Sequence, residues 1–279
     1  MPVLMDFLLL AQAHPPNPGL IEKLARTPLH QIVWFAALCT ALRIVAASWM
    51  PRVSESNTAG RVSLRILHDA SDALIYAAVV VFLLLRPYVL QTFQIPSESM
   101  VPTLKVNDWL IVNKFAYRIG DPKFGDIVVF KPPKRALAPW QPPDQDFVKR
   151  LIGEPGDLIE IRNSVLYRNG QEVPQPYLNE RAIGDFKLVK YNGELIPLVR
   201  FGTGGIPQDS LYVDKVPAQE MGVVWDLPAE PVPEGHYLMM GDNRNWSADG
   251  RVWGLVPRRQ IVGRAWFILF PPSRMGTPD

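Results

Sequence analysis

Cysteine is nearly absent: Cys39 is the single one in 279 residues. An intramolecular disulfide is therefore impossible and a cysteine-rich zinc site is excluded. Cys39 lies inside an apolar stretch and reads as a small buried or lipid-facing residue. Histidine is scarce too. Of four, His14, His30 and His68 lie near or between apolar stretches, and only His236 falls further on, between Gly235 and Tyr237. No His-Glu-x-x-His occurs, which removes one class of zinc protease. The net charge of +2 gives a nucleic-acid partner no support. No internal repeat is visible.

Proline (28) and glycine (19) are plentiful, which suits a turn-rich β body better than a helical bundle. Ahead of that body stand two apolar stretches. Asp72 to Val89 is apolar on all faces until Arg86-Pro87. A helix of roughly 18–20 residues spans a bilayer core, with Arg86 snorkelling and Tyr88 at the interface. A buried core helix is the alternative. Gln31 to Trp49 is the second candidate, and Arg43 weakens it, because a mid-membrane charge costs at least ~2.5 kcal/mol. An amphipathic surface helix is its alternative. Arg52, Arg61 and Arg65 between the stretches place that loop in the cytoplasm by the positive-inside rule, although Lys23 and Arg26 pull the other way. The body after the second span then lies on the extracytoplasmic side. Met1 to Ala13 looks like a secretory signal ending Ala11-Gln12-Ala13, but it carries Asp6 in place of a basic start and is expected to stay uncleaved.

From about Phe93 the pattern changes to short β-branched and aromatic runs. Examples are Trp109–Val112, Asp126–Phe130, Leu158–Ile161, Ser164–Tyr167, Tyr237–Met240 and Ile261–Phe270. Turn pairs such as Gly156-Asp157 and Asn169-Gly170 separate them, an antiparallel, mainly β signature. The expected organisation is an N-terminal segment (1–28), spans at 29–50 and 72–91 with a cytoplasmic loop at 51–71, and a catalytic core at 92–167 and 234–272. An inserted β-rich subdomain occupies 168–233, and 273–279 is a frayed tail. Lys131 to Asp144 is proline-rich and expected to be a long exposed loop.

The chemistry rests on three segments: IPSESMVPTL (95–104), FVKRLIGEPGD (147–157) and GDNRNWSADGRVWGLVP (241–257). A serine hydroxyl is a weak nucleophile until a base takes its proton. With histidine scarce, a lysine serves if burial lowers its pKa. Of ten lysines, Lys149 has apolar neighbours on a strand pattern that puts Phe147, Lys149 and Leu151 on one face and Val148, Arg150 and Ile152 on the other. Local pattern alone leaves two placements open, inward among apolar groups or snorkelling at the surface, and the latter is commoner. Ser97 and Ser99 point the same way if extended, so one can attack and the other can donate to an oxyanion. Either alone is more often a turn hydroxyl or a helix cap.

Together the three segments resemble bacterial type I signal peptidase, a Ser/Lys-dyad endopeptidase of the S26 class. The likeness runs from about Leu74 to Phe270. By that resemblance Ser99, just before Met100, matches the nucleophile and Lys149 the general base. Ser97 matches the side-chain oxyanion donor, with the Ser99 N–H as the second donor. Ser247 matches the serine that orients the lysine, and Asp249 and Arg251 match a structural ion pair. A lysine base resembles the bacterial and organellar type; the endoplasmic-reticulum type carries histidine. Gly250 and Trp246 depart from the family's commoner serine and smaller polar residue.

The resemblance implies an antiparallel β-sheet body behind membrane helices. It also implies removal of signal peptides from secretory preproteins after small residues (A-x-A), with no metal, nucleotide or other cofactor. Ile95, Pro96, Met100, Leu104, Phe147 and Val148 would line the small substrate pockets, with the substrate paired along an Ile95–Met100 strand. The implied partners are preproteins, the lipid bilayer and the secretion translocon. Trp266, Phe267 and Phe270 are expected in a strand core, with lipid docking as their alternative use. Two rival readings are another Ser/Lys hydrolase of related fold and a non-catalytic membrane-anchored β-domain.

Overall fold

The computed structural model describes residues 29–54, 57–80, 90–137, 141–143, 145–200, 216 and 221–278. It separates a helical unit, Pro15–Gln91, from a β-rich unit that takes in Thr92 onward.

In the helical unit, α1 (Leu29–Trp49) and α2 (Thr58–Ala78) pack against each other. The residues that α1 buries, Ile32, Cys39 and Ala46, recur every seven positions, as do Ser71 and Ala78 of α2. That spacing is a packing seam, and its small side chains let two helices approach closely. Arg43 finds a partner here: its Nε lies 2.9 Å from Asp72 Oδ1. The charge that counts against α1 as a span is thereby matched. Trp34, Phe35, Leu38, Ile44 and Val45 face outward. His30–Arg52 is long and apolar enough to cross a membrane, the one such helix among the described residues.

One expectation changes here. Residues 51–71 are not all loop, because α2 starts at Thr58, where Asn57 Oδ1 accepts from the Gly60 N–H at 3.0 Å. Arginine is a good helix former, so Arg61 and Arg65 mark charge, not loop. Of the second expected span, the part at 81–89 lies outside the described residues, as does Met1 to Ala13.

The body contains two antiparallel sheets. The larger has the order β1-β2-β12-β3-β4-β10-β11. Its strands are β1 (Leu90–Gln94), β2 (Trp109–Asn113), β3 (Ile127–Phe130), β4 (Phe147–Gly153), β10 (His236–Met240), β11 (Val256–Pro257) and β12 (Ile261–Phe270). The smaller, β7-β6-β5-β8-β9, is built from β5 (Ile159–Arg162), β6 (Val165–Arg168), β7 (Gln171–Glu172), β8 (Asp185–Tyr191) and β9 (Glu194–Arg200). The inserted sheet thus begins at Ile159, not at residue 168, since β5 pairs with β6 and β8 and lies in their sheet. It does not stand apart: Ile159, Ile161, Leu166 and Phe186 share one buried cluster with Ile152, Leu238 and Met240 of β4 and β10.

The tail is tied down rather than frayed. Arg274 grips Asp108 with Nε–Oδ1 at 2.9 Å and a second nitrogen on Oδ2 at 2.8 Å, and Gly276 bridges to Ile268. On β12, Trp266 and Phe270 are 52% and 46% exposed, so these two do not serve a core. Of the Lys131–Asp144 loop, the described part includes a single helical turn at Lys134–Ala136. Residues 138–140 and 144 of that loop, and the glycine-rich Gly202–Gly205, lie outside the described residues.

Candidate active site

β4 carries the lysine. Val128 of β3 is Lys149's register partner, while β10 flanks the strand on its other side. From Lys149 to Gly153 the strand is buried at every position, so the alternating pattern ends on apolar packing on both faces. Phe147 and Leu151 join Phe130 and Trp253, Val148 joins Ile95, Met100 and Leu104, and Ile152 joins the cluster shared by the two sheets. Lys149 is only 5% exposed. Its Nζ donates to Ser99 Oγ at 2.6 Å and to the Val148 carbonyl at 3.1 Å. Burial pulls its pKa from 10.5 down to about 8, against the pull of Asp249 and Asp242, which favour the ammonium, and with a lesser push from Arg251.

The serine segment is not a strand. β1 ends at Gln94, and residues 97–104 form turns closed by Val101 N–H to Glu98 O at 3.0 Å and Leu104 N–H to Met100 O at 2.9 Å. Prolines at 96 and 102 work against a regular ladder there. The extended Ile95–Met100 strand expected to pair with substrate is therefore not formed. The two hydroxyls nonetheless meet, with Ser97 Oγ and Ser99 Oγ 3.3 Å apart. Ser99 is 8% exposed, whereas Ser97 lies open to solvent. Ile95, Met100, Leu104 and Val148 form one cluster, with Pro96 exposed beside it. Phe147 does not join them. Its ring lies edge-on to Phe130 at 6.3 Å, and Lys149 Nζ sits 5.7 Å above it.

The third segment follows β10 directly. Asn243 fastens it to the serine turn, its N–H donating to Ser99 O and its Nδ2 to Glu98 O, both at 3.1 Å. Gly241 permits this approach: a Cβ there would overlap both the Ser99 carbonyl oxygen and the Ser247 side chain. Gly250 is explained likewise, because a Cβ would come within 2.7 Å of Met239 O and Leu238 Cδ1. Asp249 and Arg251 pair at 2.9 and 2.8 Å, and Asp249 also accepts from the Gly241 N–H at 3.0 Å. Burial alone would raise the Asp249 pKa. The Arg251 charge and these hydrogen bonds outweigh it and hold the carboxyl below its usual range. Ser247 does not hydrogen-bond the lysine, and its buried Oγ has no hydrogen-bond partner. Trp246 stands exposed next to it.

Several contributors lie beyond the reach of the three segments read as sequence. Arg150 forms a two-pronged buried pair with Asp242 at 2.8 and 2.7 Å, and Thr103 Oγ1 donates to the same carboxylate at 2.5 Å. The Tyr177 ring covers Arg150, with its centroid 3.9 Å from Cζ. Arg244 donates to Gly241 O and to Gln175 Oε1, both at 3.0 Å. The one available signal is that Arg150 shares a strand face with apolar Val148 and Ile152, since a guanidinium buried among them requires a partner.

A buried amine whose pKa is near neutrality, touching a hydroxyl with a second hydroxyl beside it, can activate an oxygen nucleophile without histidine. Among the described residues no group of three or more His, Cys, Asp or Glu side chains is placed to hold a metal ion.

Residues 69–270 match the family model described as signal peptidase, peptidase S26. The chain is 36% identical over 203 residues to probable signal peptidase I-1 of Synechocystis sp., covering 73% of this chain and 83% of that protein. It is 32% identical over 221 residues to signal peptidase I of Aquifex aeolicus, covering 70% and 82% respectively. A solved signal peptidase I from Enterococcus faecalis V583 aligns at 26% identity over 52% of this chain and 97% of that one, with a TM-score of 0.32.

Proposed function

Because this chain belongs to the signal peptidase S26 family, we propose that it is a membrane-anchored serine endopeptidase that removes signal peptides from secretory preproteins by a Ser/Lys mechanism. The observation that carries this reading is the 2.6 Å contact between Ser99 Oγ and a lysine that is almost wholly buried.

Neutral Lys149 accepts the Ser99 proton as Ser99 Oγ attacks the scissile carbonyl. The Ser97 hydroxyl and the Ser99 N–H hold the developing oxyanion. The amide bond breaks as the protonated lysine gives its proton to the leaving amine. Lys149, neutral again, then activates the water that hydrolyses the acyl-enzyme. We assign Ser247 Oγ, buried without a partner, to hold the lysine amine during that second half. Asp249 and Arg251 brace the turn that fixes the Ser99 carbonyl.

Ile95, Met100, Leu104 and Val148 pack as one apolar floor beside the serines, with Pro96 at its rim. A closed floor of this kind admits small side chains and rejects large ones, which suits an A-x-A signal. α1 supplies one membrane crossing, and the apolar stretch at 72–91 a second. The arginines between them keep the connection cytoplasmic and the body extracytoplasmic. Preproteins delivered by a translocon then meet the enzyme at the bilayer.

The detergent-solubilised chain, with Ser99→Ala and Lys149→Ala beside it, is incubated with a purified preprotein and the product N-terminus is sequenced. Cleavage after a small residue, lost in both variants, is the expected result. Cleavage that survives Lys149→Ala would mean another base and would reject the mechanism.

A further inference from the structure

Between β7 and β8 the chain runs without helix or strand, yet it is heavily bonded to the site. Asn245 Oδ1 accepts from the Ile183 N–H at 2.9 Å, and Asn245 Nδ2 donates to Glu180 Oε2 and Arg181 O, both at 3.1 Å. Gln175 Oε1 takes Arg244, and Gln175 Nε2 donates to Tyr177 OH at 3.0 Å. The Tyr177 ring centroid lies 3.9 Å from Arg150 Cζ. This strap therefore grips two buried arginines, each one step from the chemistry. Arg150 follows Lys149 in β4, and Arg244 holds the Gly241 carbonyl while one of its own nitrogens, buried, has no partner at all.

We propose that Gln175 and Tyr177 of the inserted subdomain are positioning residues: by clamping Arg244 and Arg150 they hold the Lys149 strand and the Gly241–Asn243 turn in the reactive arrangement. This rests on the Ser99–Lys149 reading above.

The clamp has a specific electrostatic consequence. The charged groups that act on Lys149 are Asp249, Asp242 and Arg251. Asp249 is balanced by Arg251, and Asp242 by Arg150. Arg150 keeps its place through Asp242, the Gly125 carbonyl at 2.9 Å and the Tyr177 ring. Without the ring, Arg150 loosens and water reaches the pair. Asp242 is then less well balanced and Lys149 less well desolvated. Both changes favour the ammonium, so the amine becomes neutral only at higher pH.

The test uses the full chain in detergent with Tyr177→Leu, Tyr177→Phe and Gln175→Ala. Leucine keeps apolar contact with the neighbouring core but removes the π face, whereas phenylalanine removes only the hydroxyl. Two readouts run in parallel. One is kcat and KM against pH on a preprotein peptide. The other is the pH dependence of Lys149 acetylation by trace acetic anhydride, read by mass spectrometry, which needs no substrate.

Tyr177→Leu is expected to lower kcat about tenfold with KM within about twofold, and to move both pH curves upward by about half a unit to one unit. Tyr177→Phe should restore most of both. Gln175→Ala should shift the labelling curve in the same direction by less. A folded Tyr177→Leu whose curves coincide with wild type overturns the proposal. If Tyr177→Leu does not fold, an unshifted labelling curve in Gln175→Ala overturns it. Should wild type fail to cleave while the labelling curves separate, the peptidase reading fails and the clamp stands. Cleavage by wild type with coincident labelling curves overturns the clamp and leaves the peptidase reading intact.

Discussion

Replacing Lys149 by methionine should abolish activity and yet stabilise the fold. The lysine pKa falls from 10.5 to about 8 because the ammonium is buried. A cation whose folded pKa lies below its unfolded value binds fewer protons in the folded state. Folding is therefore opposed wherever the unfolded chain is protonated, and stability rises with pH through the window between the two values. A shift of this size amounts to ~3 kcal/mol at pH 7, and the group is too deeply buried for solvent screening to reduce it much. Methionine matches the lysine stem in size and carries no charge. It also leaves Ser99 Oγ and Val148 O without their donor, at a cost of ~1 kcal/mol. The net gain is about 2 kcal/mol at pH 7, vanishes near pH 10 and reverses to a loss of about 1 kcal/mol by roughly pH 11, where only the missing donor counts. Urea midpoints of wild type and Lys149→Met, followed by tryptophan fluorescence between pH 7 and 11, give the difference directly, since every other titrating group is common to both. A variant no more stable than wild type at pH 7, or a gap that does not close with rising pH, refutes the account of a buried, reluctant ammonium. In the active enzyme the same group predicts kcat/KM rising with pH and levelling above about 8.

Asp249→Asn should destabilise the body by about 3 kcal/mol, since it leaves the Arg251 charge buried without its carboxylate, and a thermal melt shows it. In wild type the contribution of Asp249 is present above the usual carboxylate range and is lost as pH falls through its lowered pKa. Gly241→Ala should cost about a hundredfold in kcat by pushing the Ser99 carbonyl away, with KM little changed; near-normal turnover contradicts the close packing seen here. If exposed Trp266 and Phe270 rest on lipid, brominated phospholipid quenches Trp266 in addition to Trp34 and Trp49 of α1, and Trp266→Phe lowers the quenched fraction. An unchanged quenched fraction rejects docking.

Local pattern reaches the strands well, because short β-branched and aromatic runs such as Ile127–Phe130, Phe147–Gly153 and Ile261–Phe270, bounded by turn residues, are a local signal. It does not decide where Lys149 points. An apolar-flanked lysine in a strand is equally compatible with the surface, and what buries this one is the pair of neighbours, β3 and β10, that the sheet order supplies from distant sequence. Arg150 and Asp242 are 92 residues apart, so no window can pair them. The serine segment reads as extended because Ser97 and Ser99 alternate, but its turns bring the hydroxyls together by another route. The inserted sheet starts earlier than its sequence suggests because Leu158–Tyr167 has the same alternation as the core strands, and only pairing distinguishes them. The tail looks free to fray because its anchor, Asp108, lies 166 residues away.

Burial is the common cause behind these features. The packing that strips water from Lys149 and makes it a usable base also strips water from Arg150, the next residue in β4. A lysine under that pressure can shed its proton and pass it to chemistry. A guanidinium has no such outlet, so it must be paired. Hence the base arrives together with Asp242, and Asp242 with Thr103 and the turn that opens at Gly241. The inserted subdomain then has a reason to lie where it does. It covers a buried guanidinium with the Tyr177 ring and fills one valence of Arg244 with Gln175, two needs created by the sheet that makes the lysine reactive. On these grounds the insertion is not a passive addition to a finished catalytic core. Shortening the β7–β8 connection should weaken catalysis even where both sheets remain folded.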